Sequence, residues 1–89
     1  MSKYDALTEW LRRQLGNRIV VPFEDIEDQD KIGVQLPRTA KENRDWWANE
    51  NNRAAGYHHQ SRAWMKAGWK PEHVDLGRQF VTFVRIRMK

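Results

Sequence analysis

The segment of residues 22–52 constrains the fold most, because it is typical of two helices joined by a turn. Its first half follows Pro22 and is acidic, and Gly33 is expected to supply the positive φ of a tight turn. A second helix is predicted to begin near Pro37, over about residues 37–48, and it carries cationic and amide side chains. This arrangement is that of a helix-turn-helix reader, so the segment favours DNA binding.

The rest of the chain supplies one further helix before this segment and one after it. Apolar residues at helical spacing predict helix 1 over about residues 3–15, with Ser2 as its cap and Gly16 as its stop signal. The amide-rich stretch 49–56 is interpreted as a loop. A fourth helix is predicted from about Gln60 to Ala67, where Gly68 ends it.

Three short extended runs complete the predicted elements. The β-branched run 18–22 indicates one strand, and the runs 73–76 and 80–87 indicate a hairpin with a turn at 77–79. The fold class predicted is therefore α+β: a winged helix-turn-helix-like domain with three to four helices and a small antiparallel sheet. All 89 residues are expected to form this single domain.

Charge is unevenly distributed along the chain, whose formal net charge is +4. Residues 1–30 hold four basic and seven acidic side chains, whereas residues 31–89 hold twelve basic and five acidic ones. Such a distribution can orient a small domain on a polyanion, although solvated faces that only confer solubility are an equal alternative. The chain has no Cys, no signal-peptide pattern and no apolar run of membrane-spanning length, so a cytoplasmic location is expected.

The candidate nucleic-acid-binding residues lie on helix 3 and around the start of helix 4. Arg suits guanine and phosphate, Asn and Gln suit adenine, and Lys suits phosphate. The alternative for helix 3 is an ordinary amphipathic helix with a charged outer face, and for the second cluster it is a solvated loop. The candidates are Arg38, Thr39, Lys41, Asn43, Arg44, Arg53, His58, Gln60 and Arg62.

Two further features have open alternatives. Trp46 and Trp47 point about 100° apart on a helix, so either both belong to the core or one lies at its edge and stacks under Arg or a base. Arg85, Arg87 and Lys89 could form a wing or tail on phosphates, or protect an edge strand from aggregation.

Catalysis and metal binding receive little support from the residues. The chain has no nucleophile elbow, no phosphate-binding Gly loop and no H-E-x-x-H motif. His58 and His59 are neighbours, but no Cys or carboxylate stands at a recognised ligand spacing beside them. We therefore expect no enzyme activity, no catalytic residues, no metal and no cofactor.

Several segments resemble an uncharacterised bacterial and phage-associated domain family. They are the F-E-D-I-E, L-P-R-T-A, R-D-W-W-A-N and A-W-M-K-A-G-W segments, within a stretch from Tyr4 to about Val84. The family pattern has F-x-E-I-E, L-P-x-S-A, R-x-W-W-x-N and A-W-x-x-x-G-W. The chain departs from it after Ile26, where a polar run replaces a more apolar helix end, and Thr39 stands for Ser. The resemblance implies a self-contained domain, found alone or attached to other modules, which suits a DNA-binding or accessory role.

Double-stranded DNA is thus the predicted partner, and a protein partner is the alternative. As an interaction module or inhibitor, the domain would dock on a larger nucleic-acid enzyme, using aromatic and Arg side chains. RNA is a third possibility. The location of the Trp residues distinguishes them: exposed Trp on a flat patch favours a protein partner, whereas buried Trp with one basic face favours DNA.

Overall fold

A helical layer packs on one face of a three-stranded antiparallel sheet in the computed structural model, which describes residues 4–48 and 59–86. The helical elements are α1 (Asp5–Arg12), α2 (Phe23–Glu27), α3 (Arg38–Glu42), a 3-10 turn (Arg44–Trp47) and α4 (His59–Met65). The strands are β1 (Arg18–Pro22), β2 (Trp69–Asp75) and β3 (Phe80–Arg85). The predicted α+β class, with three to four helices and a small antiparallel sheet, is confirmed by the described residues, while the winged helix-turn-helix arrangement stays a prediction.

Strand β3 lies at the centre of the sheet, whose order is β1-β3-β2. Both neighbours run antiparallel to β3, so the first strand of the chain pairs with the last. Val81 and Phe83 are fully buried on the face that meets the helices. Side chains alternate along a strand, so Phe80, Thr82 and Val84 belong to the opposite face, which we call the outer face.

Helix α1 ends earlier than predicted. Its last residue is Arg12, not a residue near 15, and Leu15 is 88% exposed rather than part of the apolar stripe. Beyond the helix, the Arg85 guanidinium donates hydrogen bonds to the carbonyl oxygens of Gln14 and Gly16. These bonds hold residues 14–16 away from the helix axis. The proposed cap at Ser2 lies outside the described residues.

The connection between α2 and α3 covers residues 28–37, which is longer than the tight turn predicted. The chain runs back beside α2, where Val34 N–H donates to the Ile26 carbonyl at 2.7 Å. Ile32 and Leu36 are also buried on alternate positions, as in an extended segment. Gly33 has φ +84°, so the predicted need for a positive φ there is confirmed.

Helix α3 is also shorter than predicted, since it ends at Glu42 rather than near Ala48. Asn43 has extended backbone angles (φ −137°, ψ 117°), and its side-chain oxygen accepts a hydrogen bond from Asp45 N–H at 2.8 Å. A short Asn side chain that binds nearby backbone competes with the helix. The chain therefore stops at Asn43 and restarts as the 3-10 turn.

Strand β2 begins at Trp69, four positions before the predicted start at His73. The pairing register shifts between Pro71 and His73, which marks a bulge. Pro lacks a backbone donor and is tolerated in an edge strand or at a bulge, and β2 is an edge strand. Strand β1 has the predicted bounds, and β3 ends at Arg85 rather than Arg87.

A column of stacked aromatic rings forms the centre of the core. Trp47 stacks on Phe23 at 5.3 Å and on Trp64 at 5.6 Å between ring centroids, and Trp64 contacts Phe83 at 5.9 Å. We call these four residues the aromatic column. Trp46 is partly buried and meets Trp47 edge-on at 4.7 Å. Of the two alternatives for this pair, the structure therefore has Trp47 in the core and Trp46 at its edge.

Truncating the column at Trp47 is expected to destabilise the domain strongly. Trp47→Ala should lower the free energy of unfolding by about 3–5 kcal/mol, because a fully packed ring is lost and a cavity remains. It also leaves the Ala40 carbonyl without its 2.9 Å bond from Trp47 Nε1. Urea unfolding followed by circular dichroism measures the change. Trp46→Ala is the matched control, and a cost at Trp46 equal to or larger than that at Trp47 would contradict this account.

Candidate nucleic-acid interface

The cations predicted on helix 3 are engaged with neighbouring residues. Arg38 Nε donates to Glu42 Oε2 at 3.0 Å, and both side chains are exposed. Lys41 Nζ donates to Glu27 Oε1 at 3.0 Å in a more enclosed pair. Exposed ion pairs contribute only about 0–1 kcal/mol, so Arg38 can exchange partners at little cost, whereas Lys41 belongs to a connected group.

Glu27, which ends α2, is the centre of that group. One carboxylate oxygen accepts from Leu36 N–H at 2.9 Å and from Gln35 Nε2 at 3.0 Å, while the other accepts from Lys41. The carboxylate therefore fixes the start of α3 against the end of α2. Glu27 thus bridges α2 and α3 rather than only adding charge to α2.

The other candidates of this region have backbone contacts. Arg44 Nε donates to the Val74 carbonyl at 3.1 Å, which ties the 3-10 turn to β2. Asn43 caps the same turn, and Thr39 is exposed. Gln60 is buried and donates to the Trp46 carbonyl at 3.0 Å, so it supports the core.

The remaining candidates divide into one exposed residue and two that are not described. Arg62 is exposed on α4. Arg53 and His58 lie outside the described residues, as do Arg87 and Lys89. Arg85 lies at the end of the sheet and is not part of a free tail.

One end of the molecule, which we call the basic end, gathers cations from distant parts of the sequence. The C-terminal end of α1 lies there, beside the start of β2, and Trp69 Nε1 donates to the Leu11 carbonyl at 3.0 Å. The turn after α4 also reaches it, because Ile86 N–H donates to the Gly68 carbonyl at 2.8 Å. Two carboxylates, Glu9 and Glu72, lie among six cationic side chains. The six are Arg12, Arg13, Arg18, Lys66, Lys70 and Arg85.

The opposite end is acidic, because β1 runs from the basic end into α2. The hydrogen bond from Phe23 N–H to the Gln79 carbonyl, 2.9 Å, places the start of α2 beside the β2–β3 turn. Glu24, Asp25, Glu27, Asp28 and Asp30 follow in α2 and the next loop. Lys31 Nζ donates to Asp25 at 3.0 Å, and this bond together with the Asp25 charge raises the pKa of Lys31.

The basic end holds paired as well as unpaired cations, since Arg12 and Arg18 form ion pairs there. Within residues 4–48 and 59–86, no carboxylate forms an ion pair with Arg13, Lys66 or Lys70, all of which are exposed. None of these three is among the candidate residues predicted from the sequence. Their grouping depends on the pairing of β1 and β2 with β3, which one-dimensional patterns do not encode.

Arg85 organises the backbone of the basic end. Its Nε and Nη2 donate to the Gly16 carbonyl at 3.2 and 3.0 Å, and Nη2 also donates to the Gln14 carbonyl at 3.0 Å. The guanidinium lies over the Trp69 ring, 4.1 Å from its centroid, in a cation–π contact. Its partners are carbonyls and a ring, so its positive charge is not cancelled by a carboxylate.

The described residues contain neither a metal-binding cluster nor a membrane-spanning helix. Across the two described ranges, no cluster of three or more His, Asp or Glu side chains could hold a metal ion. In the same ranges, no helix has the length and apolar character needed to cross a membrane. The expected cytoplasmic location stays a prediction.

Comparison with known families places the chain in one of them. The model of a family described as a domain of unknown function, DUF7662, matches residues 4–86, so the chain belongs to this family. The predicted resemblance to an uncharacterised domain family over nearly the whole chain is thus confirmed, while the specific motifs and the bacterial or phage-associated origin stay predictions. Searches of curated proteins and of solved structures found no match.

Replacing Arg85 tests its organising role. Arg85→Ala should lower the free energy of unfolding by about 1–3 kcal/mol, because charged hydrogen bonds to two carbonyls and a cation–π contact are lost. Arg85→Lys should not restore wild-type stability, since a Lys ammonium cannot reproduce the fork of donors. Thermal and urea unfolding measure both variants. Arg38→Ala removes the same charge from an exposed pair and should change stability by less than about 0.5 kcal/mol; equal losses for the two Arg→Ala variants would contradict the role.

Proposed function

We propose that the domain binds nucleic acid through its basic end, with exposed cations contacting backbone phosphates. The observation that carries the proposal is the separation of charge along β1: among the described residues, six cationic and two acidic side chains lie at the basic end, and the carboxylates of α2 lie at the other. A molecule with this dipole is oriented by the field of a polyanion before contact. Phosphate contacts give affinity and register and do not require a base-reading element.

The positions of the Trp residues support nucleic acid over a protein partner. Trp47, Trp64 and Trp69 are buried, and Trp10 and Trp46 are partly buried against the core. None of the five therefore stands on an exposed flat patch, which was the sign expected for a hot-spot surface. Double-stranded DNA remains the substrate class that we propose, in a regulatory or accessory role in a phage or defence context.

The order of elements supports a winged-helix arrangement in which α4 is the reading helix. In that fold the second helix of the helix-turn-helix, which is the recognition helix, comes directly before the hairpin. Here α4 comes directly before the β2–β3 hairpin. Arg62 and Lys66 are exposed and lie one helical turn apart, since Lys66 N–H donates to the Arg62 carbonyl at 2.9 Å. The recognition role first predicted for α3 rests on a helix of five residues, in which Lys41 is held by Glu27.

A protein partner is the second candidate, and the outer face of the sheet favours it. Val20 is 57% exposed on this face, beside partly exposed Phe80 and Val84. An exposed apolar strip on a sheet is a common docking surface. Under this alternative the basic end would only keep the domain soluble.

Neutralising the basic end should weaken nucleic-acid binding. We expect Lys66→Ala/Lys70→Ala to bind labelled duplex DNA more weakly than the wild type. The slope of log affinity against log salt should also fall by about two, because two phosphate contacts are lost. Fluorescence anisotropy between about 50 and 200 mM salt measures both quantities, with single-stranded DNA and duplex RNA as parallel substrates.

The matched control removes two positive charges elsewhere. Arg38→Ala/Arg78→Ala takes them from α3 and from the β2–β3 turn, and it should leave the affinity and slope close to wild type. A larger loss in the control would move the interface to α3, as first predicted. If the wild type binds none of the three substrates at low salt, the nucleic-acid proposal fails and the protein partner replaces it.

A further inference from the structure

A groove lies where the outer face of the sheet reaches the basic end. It has a volume of about 610 Å³ and is lined by Asn17, Lys70, Glu72, Val84, Arg85 and Ile86. Lys70 supplies positive charge, while Val84 and Ile86 supply apolar surface. The groove therefore has a cationic rim and an apolar floor, and its volume is large enough for one nucleotide unit of a strand.

An ion pair crosses the sheet beside this groove. Arg18 Nη1 donates to Glu72 Oε1 at 2.6 Å, although Arg18 is on β1 and Glu72 on β2. Strand β3 lies between them, and Arg18, Val84 and Lys70 are aligned in register on the outer face. The pair therefore passes over the central strand, and Glu72 places a negative charge beside Arg18 and in the groove that Lys70 also lines.

We propose that this groove is a phosphate-binding subsite for a nucleic-acid strand and that Glu72 occupies it as an internal competitor. The inference rests on the proposed function. On binding, a backbone phosphate replaces the Glu72 carboxylate as the partner of Arg18 and is also held by Lys70. The sugar of the same nucleotide then lies against Val84 and Ile86.

The exchange costs little because the Arg18–Glu72 ion pair that it breaks is weak. The Arg18 and Glu72 side chains are 62% and 48% exposed, and exposed pairs contribute little to folding stability. The Glu72 carboxylate also repels a phosphate placed between Arg18 and Lys70. It thus lowers affinity in two ways, by neutralising Arg18 and by opposing the incoming charge.

Removing the Glu72 charge should therefore strengthen binding, an outcome that a purely structural ion pair does not give. We expect Glu72→Gln to raise the affinity for the preferred nucleic acid about threefold to tenfold at low salt, by Coulomb interaction over a few ångströms. The salt slope should change by less than about one, because Arg18 contacts the phosphate in both proteins. Fluorescence anisotropy measures both, and thermal unfolding checks that the variant remains folded.

Glu42→Gln is the matched control, since it frees Arg38 on α3 from an equivalent exposed pair with the same change in net charge. It should raise affinity by less than twofold, because a distant charge is screened by salt. An equal gain in both variants overturns the subsite, and a gain for Glu42→Gln alone assigns binding to α3. If the wild type and both variants bind no nucleic acid, the proposed function itself fails, and this outcome is distinct from a failure of the subsite alone.

Two further measurements identify the group that Arg18 contacts. In Arg18→Ala/Glu72→Gln most of the gain should disappear, and a gain that persists in full overturns the partner exchange. Adenosine monophosphate should displace the bound strand only at millimolar concentration, since it offers one phosphate to an open groove. Displacement at micromolar concentration would assign the groove to a free nucleotide and overturn its role as a strand subsite.

Discussion

The stacking of Trp47 between Phe23 and Trp64 is the interaction on which the rest of the structure depends. The three rings come from the 3-10 turn, α2 and α4, and Trp64 carries the column on to Phe83 in the central strand. A small domain buries only a modest share of its surface, so a few large side chains must supply most of its hydrophobic stabilisation. The column fixes the helices on one face of the sheet, and Val20 on the other face is 57% exposed.

The separation of charge follows from how the sheet is connected. Strand β1 begins at Arg18 in the basic end and leads directly into the acidic helix α2, so a single strand length separates the two regions. Lys70, near the start of β2, and Arg85, the last residue of β3, lie at the same end of the sheet as Arg18. Charge that is only unevenly spread along the sequence thus becomes a dipole of the folded molecule. This is the property from which both the proposed function and the phosphate subsite are derived.

Local signals predicted the elements but not their relation to one another. The β-branched run gave the bounds of β1, and the need for a positive φ identified Gly33. The end of α3 was wrong because the side chain of Asn43 competes for the backbone, a local effect that helical spacing alone does not reveal. The bridging role of Glu27 and the cross-sheet pair of Arg18 and Glu72 join residues that only tertiary packing brings together. Candidate residues chosen by chemical type therefore included Gln60, which is buried, and omitted Lys70.

The most direct test of the account is to map the binding surface by two-dimensional NMR of the ¹⁵N-labelled domain during titration with a short DNA duplex. The account predicts that backbone amide signals shift at the basic end and along the exposed side of α4, in residues 12–18, 62–70 and 84–86, and that signals of α2 and α3 stay in place. Shifts confined to α3, or no shifts at low salt, would contradict it.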